Sequence, residues 1–346
     1  MRKGGCYLNR GKGILVLIFL LLGLWLAWAG SGQGGIRGYF LRQSAQSQAE
    51  GKTPDRGGEQ NTDSAAESPA SMPPFPSQVV IPSAPQASPA EEKVILPTTI
   101  EGGMVLSNDS GLQVDLEGLM AEGAGIRLSS KGANILIIHT HGSESYTSDG
   151  INSFTATDSF RTEDSRFNMI RVGDELAASL ESYGLTVIHD REMYDYPSYT
   201  GSYGRSGAAV AKHLQEHPEI SLVLDVHRDA IGSGDVIYKT LAEGGGKPCS
   251  QLMLLAGTGE NGLPHPNWRE NLKLALYLQA AVVEKYPTLP RPIALKKERY
   301  NQQLSTGSLI LEVGSSGNTL EEALCAVRFF ADAAAPALLK LRLPAD

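Results

Sequence analysis

The stretch NILIIHTHGSESYTSDG, residues 134–150, governs the reading of the whole chain. Ile135 to Ile138 form a short continuous apolar run, the pattern of a strand buried on both faces. A strand expected over Asn134–His139 therefore runs into His139 and His141, then Gly142, Ser143 and Glu144. Side chains alternate along a strand, so both imidazoles reach one ion if the strand continues through Thr140. If the chain turns at Thr140, only one does. A polar loop after a strand is the plain account of these residues, and a metal site is the sharper one.

Working outward, strands and helices alternate from about Lys131 to the end. Met169, Val172, Leu176, Leu180 and Tyr183 recur at helical spacing, and Gly184 stands where a helix stop belongs. Short strands are expected at Leu185–His189, Ser221–His227, Gln251–Ala256 and Ser308–Val313. Helices are expected at Arg205–His217, around Leu272–Val282 up to Pro287, and over Asn318–Leu341. Strands interleaved with helices of this length predict an α/β domain over 131–346. Its sheet is mostly parallel and covered by helices on both faces.

Ligands of open α/β sheets bind beyond the carboxyl ends of the strands. Three expected strands end in reactive side chains: ILIIHTH at His139 and His141, SLVLDVHRD at His227, and GSLILEVG, which carries Glu312. The chain has only seven histidines, so three of them at strand ends form a pattern. Catalytic zinc takes three protein ligands of His and carboxylate type and keeps one position open. His141, Glu144 and His227 fill that scheme. Glu312 interrupts an apolar strand, and a buried carboxylate is costly unless paired or protonated. It suits a general base and acid that passes a proton to a leaving amine. The plain alternative is a salt bridge to Arg228 or Arg299.

Other histidines weigh less. His213 and His217 stand four apart on one helix face, but HLQEH lacks the glutamate of HExxH, so a solvated helix end is expected. His189 is a reserve ligand, and His265 in PHP reads as surface. Cys6, Cys249 and Cys325 lie far apart with no CxxC spacing, and no disulfide framework or thiolate site is legible. The formal net charge of -8 argues against wholesale nucleic-acid binding.

Ahead of the domain, residues 13–30 hold no charge and follow Arg2, Lys3, Arg10 and Lys12. Eighteen such residues rise about 27 Å as a helix, enough to cross a bilayer, with the basic side cytoplasmic. Residues 1–30 are thus expected to be a cytoplasmic stub and transmembrane anchor, with cleavage after Ala27-Trp28-Ala29 as the competing reading. Residues 31–97, rich in Gly, Ser, Pro, Gln and Glu, are expected to be a linker spanning on the order of 45 Å, and 98–130 a lead-in segment.

The motifs IIHTHGSESY, NMIRVGDELAASLESYGLTVIHD, SYTGSYGRS, LDVHRDA, NWRENLKLA and YNQQLSTGSLILEVG occur in this order over about residues 131–340. Together they resemble the stage II sporulation protein P family, which is in turn similar to the zinc-dependent N-acetylmuramoyl-L-alanine amidases. The resemblance implies an amidase-like fold and a Zn2+ cofactor. It puts His141 and His227 in the roles of zinc histidines and Glu312 in that of the catalytic glutamate. The third ligand stays open: Glu144 belongs to the sporulation family's own motif, while the amidases draw a glutamate from the region that here reads RTEDSRFN, which makes Glu163 or Asp164 competitors. His139 has no amidase counterpart and is either a ligand or a residue behind one. Arg228 replaces an alanine and is placed to bind a stem-peptide carboxylate.

By resemblance, the chain cleaves the amide between N-acetylmuramic acid and L-alanine, and peptide cross-links as well, during engulfment. It does so between the mother-cell and forespore membranes with stage II sporulation proteins D and M. The competing readings are a tethered peptidoglycan-binding scaffold without turnover and a metal-dependent peptidase.

Overall fold

The computed structural model describes residues 93–152, 154, 156–157, 159–243 and 247–344. The expected anchor and the linker up to residue 92 lie outside the described residues. Among the described residues no helix is long and apolar enough to cross a membrane.

The strands are β1 (Val94–Thr98), β2 (Leu106–Asn108), β3 (Ile135–Ile138), β4 (Val187–His189), β5 (Leu222–Asp229), β6 (Gly232–Ser233), β7 (Val236–Ala242), β8 (Cys249–Ser250), β9 (Leu252–Gly257), β10 (Ile293–Lys296) and β11 (Ser308–Ser315). The helices are α1 (Leu116–Ala121), α2 (Met169–Ser182), α3 (Ser202–Glu216), α4 (Trp268–Lys285) and α5 (Leu320–Leu339). Seven strands form the main sheet in the order β2-β10-β9-β11-β5-β3-β4. Every neighbouring pair is parallel except β9 with β11, so the expected mostly parallel sheet is present.

Both faces of the sheet are covered, which is why its central strands are continuous apolar runs. Ile135, Ile137, Leu222, Leu224, Val226, Leu309, Leu311 and Val313 enter the large core with residues of α2, α4 and α5. The alternate residues Leu136, Ile138 and Val223 pack on the other side with Val210 of α3. Each such side chain stabilises the fold by about 1.5–3 kcal/mol on burial. Alternation puts Asp225, His227 and Glu312 on the face that α3 covers.

Local chemistry fixes the helix ends. Asn168 caps α2 by accepting from the Ile170 N–H, and Gly184 follows its end at φ +85°. Thr319 and Glu322 form a reciprocal capping box at the start of α5. Inside α2, a Cβ on Gly173 would lie 2.4 Å from both His139 Nε2 and His189 Nε2, so this turn admits only glycine.

Three features depart from the sequence reading. A disulfide joins Cys249 of β8 to Cys325 of α5, whose Cα atoms are 5.4 Å apart. Their sequence separation of 76 hides the pairing from any spacing argument. A small sheet, β1-β7-β6 with β8 on β7, flanks the main one. Its β1 starts at Val94, inside the stretch expected as linker, and Pro97 sits in it because an edge strand tolerates a missing N–H.

Candidate functional site

Strand β3 stops at Ile138 and the chain turns at Thr140. Asp225 of β5 imposes the turn: its Oδ1 accepts from the Thr140 N–H at 2.8 Å and its Oδ2 from the Thr140 hydroxyl at 2.6 Å. The two histidines consequently part company. His139 continues the register of Ile135 and Ile137 and is buried toward α2. Its Nδ1 lies 2.9 Å from the Val226 carbonyl, and its Nε2 lies 2.8 Å from His189 Nε2. A carbonyl only accepts, so Nδ1 carries the proton and Nε2 is the unprotonated nitrogen that faces His189. Burial and the adjoining His189 lower the His139 pKa to about 3, which keeps it neutral. Both of its nitrogens are engaged, and it stands behind the site as a support.

His141 turns the other way. Its ring stacks on Tyr199 at 4.5 Å and meets the edges of Tyr203 and His227 at 5.6 and 5.3 Å. Its Nδ1 is buried with no hydrogen-bond partner among the described residues. Burial, reinforced by His227, lowers its pKa to about 4.

Glu144 comes back toward the same point. The antiparallel bridge Glu144–Arg161 and the bond from the Met169 N–H to the Glu144 carbonyl hold its backbone. Its Oε2 lies 3.7 Å from His227 Nδ1 and accepts from the Arg228 N–H at 3.4 Å. Its Oε1 takes Arg161 at 3.3 Å. Glu163, by contrast, is exposed and bonded to Tyr196, and Asp164 pairs with Arg166. Neither of these carboxylates joins the histidines.

His227 Nε2 lies 2.8 Å from Asp225 Oδ1, a close ion pair. Burial alone would lower the His227 pKa; Asp225 and Glu144 outweigh it and raise it to about 10. Glu312 pairs in register with His227 across β11 and β5. It keeps some exposed surface, yet its Oε2 is covered and has no hydrogen-bond partner among the described residues. Burial, then the nearby Asp229, raises its pKa to about 8 against the pull of His227. No salt bridge to Arg228 or Arg299 forms among the described residues; Arg299 bonds the Pro264 carbonyl.

Arg228 is almost fully buried. Its Nε donates to the Ser145 carbonyl at 3.0 Å and its Nη2 to the Phe160 carbonyl at 3.1 Å. It also lines a cavity of about 280 Å³ with Lys93, Phe160, Ser233 and Ser316. The remaining histidines stand apart. His213 bonds Asp190 at 2.9 Å, and His217 lies 3.5 Å from Glu219. His265, expected at the surface, is buried, with its Nε2 3.5 Å from Asn271 of α4, because its turn packs on that helix.

Two imidazoles and one carboxylate thus converge with an orphaned buried nitrogen, a donor set that fits zinc's preference for nitrogen and oxygen. They approach without closing: among the described residues no three His, Cys, Asp or Glu side chains are drawn into a ready-made ligand cluster. Asp225, Arg161, Asp195, Tyr199 and Tyr203 also build the site; all but Asp195 lie in stretches the sequence marks, yet no role was assigned to any of them. For Asp225 a signal existed, since a carboxylate two residues before His227 shares its face.

The family model of stage II sporulation protein P matches residues 42–335 of the chain. Stage II sporulation protein P of Bacillus subtilis (strain 168) is 30% identical over 211 residues, covering 57% of this chain and 49% of that protein. The chain therefore spans about half the length of the curated relative it matches. Among solved structures, the N-acetylmuramoyl-L-alanine amidase AmiC2 of Nostoc punctiforme is similar at 14% identity and TM-score 0.36, over 61% of this chain and 98% of that one. The CwlD amidase from Clostridioides difficile, solved with the GerS lipoprotein, is similar at 13% identity and TM-score 0.35, over 60% and 98%.

Proposed function

The chain belongs to the stage II sporulation protein P family, and from that premise we propose that it is a membrane-tethered zinc hydrolase of peptidoglycan acting in engulfment. The bond cut is the amide between N-acetylmuramic acid and L-alanine, with peptide cross-links as a second target. The observation that supports this reading is the meeting of His141 and Glu144, just past β3, with His227 near the carboxyl end of β5, and with Glu312 in register beside His227.

His141, His227 and Glu144 would hold the ion. Zinc, when bound, supplies Lewis-acid polarisation of the scissile carbonyl and lowers the pKa of its water to about 7. The chain's own residues do the rest. Asp225 fixes the turn that carries His141 and orients His227, so one carboxylate aligns both imidazoles. His227 carries a proton in the metal-free protein, and binding a cation there releases it. Glu312 Oε2 takes a proton from the attacking water and returns it to the leaving amine nitrogen. A pKa raised toward neutrality suits both halves of that task.

The tether supports the same picture. A charge-free helix at 13–30 with basic residues before it would leave the domain outside the cytoplasm. A disulfide such as Cys249–Cys325 persists in oxidising compartments. Stage II sporulation proteins D and M are the proposed partners.

Digestion of purified peptidoglycan by the zinc-loaded protein, with and without chelator, tests the reading by mass spectrometry of the muropeptides. Free lactyl groups on N-acetylmuramic acid, lost on chelation, are expected. Unaltered muropeptides would overturn the proposal and leave a binding scaffold. Split cross-links with intact lactyl–alanine bonds would make the protein a peptidase.

A further inference from the structure

Resting on the metal reading above, we propose that Arg161 is a positioning residue that fixes which way the Glu144 carboxylate faces, and thereby sets the metal affinity of the site. The guanidinium of Arg161 holds Glu144 Oε1 at 3.3 Å, which leaves Oε2 as the oxygen turned toward His227. The same group reaches the other histidine indirectly. It lies over the Tyr199 ring at 5.1 Å, and Tyr199 is the ring stacked on His141.

Arg161 is itself held fast. Its Nη1 donates to Asp195 Oδ2 and, at 3.0 Å, to the Ser143 hydroxyl. The Asp195 side chain has no exposed surface and also accepts from the Ser143 N–H and hydroxyl at 3.1 and 2.6 Å. Backbone bonds from Thr162 N–H to the Ser143 carbonyl and from Ser145 N–H to the Phe160 carbonyl fix the segment carrying Arg161 against the turn carrying Glu144. There is no slack between this turn and the loop that brings Asp195 and Tyr199: a Cβ on Gly142 would lie 2.9 Å from Met193 Cγ. The planar fork of arginine suits this role, because it bonds two carboxylates in fixed directions at once.

Two physical effects oppose each other here, and they make the proposal testable. A cation beside a ligand carboxylate repels a divalent ion, so removing the charge alone would tighten metal binding. Loss of an outer hydrogen-bond partner frees the ligand and weakens binding about 10- to 100-fold. The proposal states that orientation dominates.

The test measures Zn2+ affinity by competition with a chromophoric chelator, on the full chain in detergent micelles. Co2+ is then substituted and its visible absorption recorded, because that spectrum reports ligand number and geometry independently of turnover. Unfolding midpoints without metal check that each variant folds. Arg161→Gln and Arg161→Lys are each expected to weaken Zn2+ binding by about tenfold or more and to change the Co2+ spectrum. Lysine fails because it keeps the charge but not the fork. Asp195→Asn, which loosens the anchor and leaves Arg161 in place, is expected to weaken binding by a smaller factor. Equal or tighter Zn2+ binding in Arg161→Gln with an unchanged Co2+ spectrum overturns the proposal. Should the Arg161 variants fail to fold, unchanged affinity in Asp195→Asn overturns it. Absence of Zn2+ binding by the unmodified chain overturns the metal reading and this inference with it, a result separable from the others.

Discussion

Asp225 and His227 project from the same face of β5, two residues apart, with Asp225 Oδ1 2.8 Å from His227 Nε2. The same carboxylate holds the Thr140 N–H and hydroxyl, so one buried acid organises both histidine-bearing elements. Asp225→Asn keeps the shape and removes the charge. Breaking one partner of a buried pair costs about 3–5 kcal/mol, and loosening a metal ligand costs about 10- to 100-fold in affinity. Urea unfolding of the metal-free protein and Zn2+ titration are expected to show both losses. Unchanged values in both would remove Asp225 from its organising place.

The two neighbouring histidines are expected to differ sharply on mutation. His141→Ala and His227→Ala should abolish Zn2+ binding and turnover together. His139→Ala should keep one Zn2+ per chain while losing about 1–3 kcal/mol of stability, because it strands the Val226 carbonyl and His189. Metal analysis after dialysis separates these outcomes, and retained zinc in the His227 variant would defeat the ligand assignment.

Glu312 carries a pH signature. Its folded-state pKa of about 8 lies above the ordinary glutamate value of 4.5, so the folded chain binds this proton more tightly. The associated stability is complete below pH 4.5 and declines as pH rises through about 8. Glu312→Gln does not titrate. In the metal-free state it should therefore be the more stable protein, by a margin that grows from pH 4.5 to 8. Turnover of the zinc-loaded variant should fall by about 10²–10⁴-fold with Zn2+ retained. Paired unfolding curves at pH 5 and pH 8 check the first expectation.

Reduction, or Cys249→Ser with Cys325→Ser, opens a covalent loop with a sequence separation of 76. The expected loss is about 4 kcal/mol on the chain-entropy account. Thermal unfolding with and without reductant measures it, and an unchanged midpoint would contradict the bond.

Much of the architecture was legible because burial on both faces writes β3, β5 and β11 as continuous apolar runs. The helix between β3 and β4 shows its period and its Gly184 stop locally. Pairing across the sheet left no such trace. The antiparallel join of β9 to β11 and the Cys249–Cys325 bond depend on residues far apart in sequence. The site divides the same way. His141, His227 and Glu312 mark strand ends and could be found one at a time. Which of His139 and His141 faces the site depends on Asp225 bending the chain at Thr140, a partner 85 residues away. Arg161 sat unremarked beside Glu163 and Asp164 because its contacts, Asp195 and Tyr199, arrive from another loop.

The disulfide has a further consequence should a protease cut the chain. Glu312 lies between the two cysteines in sequence, while His141, Glu144 and His227 lie before them. The turn around Leu263, whose side chain is 48% exposed, falls within the same loop. A single backbone cut there would leave two fragments on a gel only after reduction. Until then the piece bearing the proposed proton carrier stays covalently attached to the piece bearing the proposed ligands, and a nicked molecule remains one molecule.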